Sequence, residues 1–268
     1  MNSLGPAWDC HVHVFDGSTP RSSAHYTPPL CDLQMRGEAA TPSAVSRFVL
    51  VQPSVYGTDN RVLLDTLAAQ AGRHRGVVVV DASVSDGTLQ SMHALGVRGV
   101  RCNLVSPVGN SHTVLAALAP RLAELGWHVQ WYATPEQLPD IAAFQARHRI
   151  VCVLDHLAGM NQQQAAKADN WDALQRVADG GGWIKLSGWY RLQASAPYAE
   201  LDDAIRRADS LFGERCVWGS DWPHTLFLEP GCSQPRPDYA QTLQPVQRAL
   251  GAALADQVLC VAPSRLYQ

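Results

Sequence analysis

The chain has 268 residues, 46% of them hydrophobic and 17% charged, which suits a folded α/β unit with a sizeable core and excludes a disordered chain. Its net charge of -3, with arginines and lysines scattered singly, excludes the basic stripe that a nucleic-acid binder needs. No apolar run reaches the roughly 18–20 residues of a membrane helix, so no membrane partner is expected.

Taken in chain order, short runs rich in Val and Ile predict eight strands. They are "WDCHVHVF" (8–15), "RFVLVQPS" (47–54), "GVVVVDAS" (76–83), "GVRGVRCN" (96–103), "HVQWYA" (128–133), "RIVCVLDH" (149–156), "GWIKLSG" (182–188) and "RCVWGSDW" (215–222). Most lack strict alternation, as strands buried on both faces do. Apolar spacing of three and four predicts helices over 59–74, 112–126, 134–148, 170–181 and 199–213. Gly126 reads as a C-cap, Thr134 as an N-cap and Pro135 as the first helical residue. Strand and helix alternate about every thirty residues, which predicts a single-domain (β/α)8 TIM barrel spanning 1–268. A doubly wound sheet is the competitor, but no G-x-G-x-x-G follows the first strand. Residues 16–44 and 223–240, rich in Pro, Ser and Thr, read as long loops over the barrel mouth after strands one and eight.

The seven cysteines show no C-x-x-C spacing and mostly sit in apolar runs, so reduced buried thiols are expected. That reading, with no secretory leader visible in "MNSLGPAW", suggests a cytoplasmic protein.

In a barrel the site forms at the C-terminal strand ends. His11 and His13 are two residues apart on the first strand and share a face, with Cys10 and Val12 expected on the other, packed against helices. The remaining strand ends carry Gln52 and Ser54, Arg101, Tyr132, His156, Ser187 with Arg191 beyond it, and Asp221. Asp155, one before His156, is expected to point away, into a salt bridge or helix cap. Asp221 follows an apolar run, and a buried carboxylate must be paired or functional. His128 reads as packing, and of Arg98 and Arg101 only the second is placed to reach the mouth.

The H-x-H pair, "VLVQPSVYGTDNRVLL", "GVRGVRCN", "VLDHLAG", "KLSGWYRL", "VWGSDWPH" and "PSRLY", in this order, resemble the amidohydrolase superfamily (amidohydrolase 2 type). The resemblance covers nearly the whole chain and is greatest to the branch holding 2-pyrone-4,6-dicarboxylate lactonase and related sugar-lactone hydrolases. It implies a catalytic cluster of His11, His13, His156 and Asp221, with Ser54, Arg101, Tyr132 and Arg191 binding substrate. The implied activity is hydrolysis of a small anionic lactone, with Asp221 as general base and the histidines polarising the carbonyl. Superfamily members with a full metal centre add a lysine from strand four and a histidine from strand five, where this chain offers Arg101 and Tyr132. No required cofactor is therefore expected. The alternative is a single Zn2+ on His11, His13 and Asp221, with or without His156, serving a hydrolase or decarboxylase; a lactone isomerase and a non-catalytic acid-binding barrel are further alternatives. The segment "NLVSPVGNSH" lacks the second cation a dicarboxylate site would supply, and Pro107 in it has no N–H to donate. Ala262 stands where the family commonly has asparagine. Aromatic residues in the lids allow for a homo-oligomer.

Overall fold

In the computed structural model, residues 5–17, 26, 30–34, 45–105, 111–228 and 236–268 are described. Eight parallel strands run in the order of the sequence: β1 (Ala7–Val12), β2 (Val45–Val51), β3 (Arg75–Val78), β4 (Val97–Asn103), β5 (His128–Tyr132), β6 (Cys152–Leu154), β7 (Trp183–Ser187) and β8 (Cys216–Gly219). Beyond the strand ends, Asp221 N–H donates to His11 O at 3.0 Å and His13 N–H to Trp222 O at 2.8 Å. These bonds draw the chain after β8 onto β1, so the sheet curls into a nearly closed TIM barrel.

The helices are α1 (Arg61–Ala69), α2 (Asp86–Ala94), α3 (His112–Glu124), α4 (Leu138–His148), α5 (Ala168–Asp179), α6 (Asp202–Phe212) and α7 (Tyr239–Asp256), with shorter turns between. The sequence predicted α1 and α3 to α6. It missed α2, whose stretch DGTLQSMHA buries only Leu89 and Met92, and α7, which carries Pro245 and a non-helical Gly251. Gly126 takes the left-handed conformation after α3, and Gln137 accepts the Thr134 N–H at 2.9 Å, closing a capping box ahead of α4. The third strand is shorter than predicted. Beyond Val78 the Val79 N–H and C=O are bonded by the Asn60 side chain at 3.0 and 2.8 Å, so a side chain from the preceding loop replaces the strand ladder.

Side chains of the strands divide between two layers. Leu50, Val78, Val100, Val129, Leu154, Ile184 and Trp218 pack outward against the helices. Trp8, Val49, Val51, Val77 and Val217 fill the floor of the barrel with Tyr267, which stacks on Trp8 at 6.1 Å. Cys10 belongs to this floor cluster and not to the helix layer, which corrects the expectation for it. The β1–β2 register slips between Asp9 and Val12, so alternation is interrupted there and Cys10 turns inward ahead of His11. The six described cysteines are buried and free. No helix among the described residues is long and apolar enough to cross a membrane. Most of the two predicted mouth loops, together with Pro107, lies outside the described residues.

Candidate active site

β1 delivers His11, the first residue after it is His13, and the chain leaving β6 and β8 delivers His156 and Asp221, all four buried. The His11 ring lies 5.0 Å from His13 and 4.8 Å from His156, centroid to centroid. His156 (φ 50°) and Asp221 (φ 60°) both adopt left-handed backbone, a strained choice for non-glycine residues that is concentrated at functional sites. The left-handed run continues through Leu157 and Ala158 to Gly159, where an added Cβ would fall 3.0 Å from Pro135. Gly188 (φ 62°) crosses so near the His156 ring that a Cβ there would sit 2.4 Å from Nδ1.

The two oxygens of Asp221 meet different groups. Oδ2 accepts from Tyr190 Oη at 2.5 Å and from Arg191 Nε at 2.5 Å. Oδ1 has no hydrogen-bond donor and lies 3.4 Å from His13 Nε2 and 3.6 Å from His11 Nε2. His156 Nε2 is 3.9 Å from Oδ2 and is also unpartnered. Burial alone would raise the Asp221 carboxyl, but the Arg191 guanidinium beside it holds it well below the usual range, so it is ionised. Burial lowers all three histidines, His11 furthest below its ordinary value and His156 to about 4, so each is neutral near pH 7.

Asp155 corrects the expectation that it points away. The left-handed turn at His156 breaks strand alternation, and both residues face the barrel interior. Asp155 Oδ1 lies 3.3 Å from His11 Nδ1 and 3.4 Å from Lys185 Nζ, while Oδ2 accepts from Gln130 Nε2 at 3.0 Å. It does form a salt bridge, as expected, but under the site. Arg101 is turned inward as well: Nε is 3.6 Å from Asp155 Oδ2 and the guanidinium donates to Gln52 O at 3.2 Å. Tyr132 packs edge-on against His156 at 4.9 Å, with Arg101 and Arg191 each 5.8 Å from its ring. Ser54 opens the turn after β2 and takes no part in the cluster's hydrogen bonds. Above the cluster a cleft of about 180 Å³ is lined by Tyr132, His156, Arg191, Glu136, Asn161 and Gln164, among others. Arg191 also donates to Thr225 Oγ1 at 2.9 Å.

Sequence reasoning missed Lys185, Gln130, Tyr190 and His224. Lys185 and Gln130 were legible as polar residues in the middle of apolar strands, where an inward side chain must find a partner. Tyr190 adjoins Arg191 and carried no separate signal. His224 (φ 63°) is buried beside Tyr190 and Trp222 with neither ring nitrogen hydrogen-bonded, and burial lowers it to about 4.

Donor atoms of His11, His156 and Asp221 lie within 4.8 Å of one another, so three ligands for one ion are present. The local charge argues against a dication. Among the described residues, Asp155 and Asp221 are surrounded by three cations, Lys185, Arg101 and Arg191, all within 3.6 Å of a carboxylate oxygen. With neutral histidines the group is already one positive charge in excess, and a buried dication would leave three.

The amidohydrolase family profile matches residues 8–268. The chain is 30% identical over 280 residues to 2-pyrone-4,6-dicarboxylate hydrolase of Comamonas testosteroni, covering 97% of this chain and 90% of that one. It is 29% identical to 4-sulfomuconolactone hydrolase of Rhizobium radiobacter, covering 97% and 89%. A crystal structure from Pseudomonas putida, described as that of a 2-pyrone-4,6-dicarboxylic acid hydrolase, superposes with a TM-score of 0.85 at 29% identity, covering 98% and 97%. With eight parallel strands and a His–His–His–Asp cluster at their C-terminal ends, this chain belongs to the amidohydrolase family.

Proposed function

We propose that this protein hydrolyses a small lactone carrying one carboxylate, and that it requires no metal. The observation that carries the reading is Asp221 Oδ1, ionised and buried, facing the imidazoles of His11 and His13 with no hydrogen-bond donor of its own. A carboxylate so placed is a general base for water. Both curated relatives named above are hydrolases, one of a pyrone dicarboxylate and the other of a sulfomuconolactone, which supports ester-ring opening as the reaction class.

In the proposed reaction a water between Asp221 and the substrate loses a proton to Oδ1 as its oxygen bonds to the lactone carbonyl carbon. Negative charge collects on the carbonyl oxygen, where imidazole N–H groups stabilise it. The ring C–O bond then breaks, and Asp221 returns the proton to the departing oxygen, leaving a hydroxyl and a carboxylic acid that ionises by losing its own proton to solvent. His13 has a different job from its neighbours. Its Nδ1 lies 2.7 Å from Val51 O, an acceptor only, so Nδ1 carries the proton. Nε2 is then bare in the neutral ring, so beside Asp221 it accepts a hydrogen bond rather than donating one to the carbonyl.

The cleft supports the single carboxylate. Among its described lining residues Arg191 is the cation and Glu136 the anion, while Arg101 is directed to Asp155. One substrate carboxylate suits Arg191, and a second would meet Glu136 or no partner. The test is Asp221→Asn assayed on a lactone that the wild type opens. A fall in kcat of at least about a hundredfold with competitive acid binding retained is expected; near-normal turnover would remove Asp221 as the base. In the same panel, monocarboxylate lactones should show higher kcat/KM than dicarboxylates.

A further inference from the structure

Lys185 lies within the barrel, below the reacting groups, and the reaction described above gives it no part. It is fully buried, on β7, with its ammonium directed across the barrel toward β1. Nζ donates to Cys10 O at 2.9 Å and to Gln130 Oε1 at 2.7 Å. The Gln130 amide cannot be reversed without loss, because its Nε2 donates to Asp155 Oδ2 at 3.0 Å. Two of the three ammonium protons are therefore committed. The third faces His11 Nδ1 at 3.4 Å and Asp155 Oδ1 at the same distance.

An ammonium has only donors, so a hydrogen bond between Nζ and Nδ1 makes the imidazole nitrogen the acceptor. Asp155 competes for the opposite outcome, since a proton on Nδ1 would point toward Oδ1 at 3.3 Å. That contact acts through charge and not as an aligned hydrogen bond, since Asp155 Oδ1 makes none that is aligned, while Nδ1 lies within hydrogen-bond distance of the Lys185 ammonium. We infer that Lys185 is a positioning residue that sets the tautomer of His11, placing the ring proton on Nε2 and aiming it into the site. His11 and His13 would then be opposite tautomers two residues apart, the first a donor to the developing oxyanion and the second an acceptor beside Asp221.

The same tautomer removes the lone pair with which His11 Nε2 would bind a metal. A lysine in this place thus favours hydrogen-bond chemistry over ligation. The catalytic consequence rests on the lactonase reading. The tautomer does not.

The experiment is long-range 1H–15N correlation NMR on protein labelled in its histidine rings, with the His11 signals assigned by loss in His11→Gln. The expected wild-type result is a protonated His11 Nε2 and a bare Nδ1. In Lys185→Met, Asp155 is left as the only partner of Nδ1, and the proton should move there. In parallel, kcat on the lactone should fall roughly a hundredfold, the cost of losing one oxyanion donor, with KM little changed. Zinc affinity of the variant, measured by calorimetry, should rise, because Nε2 becomes a lone-pair donor. A wild-type spectrum with the proton on Nδ1 would overturn the inference, and so would a folded Lys185→Met with unchanged His11 signals. If Lys185→Met does not fold, the wild-type spectrum still decides. A tautomer that moves as expected in a protein that opens no lactone would leave this inference standing and remove the reaction instead.

Discussion

Asp221 separates two tasks between its oxygens: Oδ2 is fixed by Arg191 and Tyr190, and Oδ1 is left for water. The Arg191 pairing predicts a pH dependence. Asp221 is depressed, so it is a competent base at every pH above its folded value, and the acid limb of kcat should lie well below that of an ordinary aspartate. In Arg191→Met the largest attractive charge is gone and burial raises the carboxyl, so the acid limb should move to higher pH. A kcat–pH profile whose acid limb stays in place would show that Arg191 does not set the ionisation of Asp221. The residues themselves were largely legible. His11, His13, His156 and Asp221 were readable because polar side chains ended apolar strands. What the sequence hid was partner choice: nothing in "VLDHLAG" tells that the backbone turns left-handed at His156 and brings Asp155 inward too. Arg101, placed at the mouth by alternation alone, turns to that same unforeseen carboxylate.

At the scale of elements, two departures from regular strand geometry build the site. The register slip in β1 brings Cys10, and with it the Cys10 carbonyl that Lys185 binds, to the interior. The turn after β6 needs Gly188 of the following βα connection to pass beside His156. Gly188→Ala combines a Cβ 2.4 Å from His156 Nδ1 with an unfavourable positive φ. A loss of about 1–3 kcal/mol of stability and at least a tenfold fall in kcat are expected. Thermal melting and turnover both unchanged would mean the close approach at Gly188 is not needed. Neither irregularity could be read from the period of the apolar residues, because a bulge or a left-handed turn alters direction without altering composition. The helices show the same limit: α2 escaped notice because a helix that buries two side chains leaves almost no periodic signal.

At the scale of the whole molecule, eight short strands with helical patterns between most of them were enough to indicate the barrel, since the βα period and the unalternating strands leave few other architectures. Its floor carries an acid-sensitive load. Burial lowers His128 to about 3 and His74 to about 4. Lowered histidines are neutral in the fold and charge on unfolding, so the unfolded chain binds more protons below about pH 6.5. Stability should therefore fall as pH drops from about 6.5 to 4, and the depressed Asp155 and Asp221 extend the loss to lower pH. Chemical denaturation at pH 7 and pH 5 would check this; equal or greater stability at pH 5 would contradict the buried neutral histidines.

The central claim is lactone opening by a carboxylate and hydrogen bonds alone. It is tested most directly by dialysing the protein against a chelator, measuring its metal content, and assaying that same sample on a monocarboxylate lactone panel. Undiminished turnover at a metal content far below one ion per chain is the predicted result. Turnover lost on dialysis and restored by one zinc per chain would contradict it, and would make His11, His156 and Asp221 the ligands of that ion.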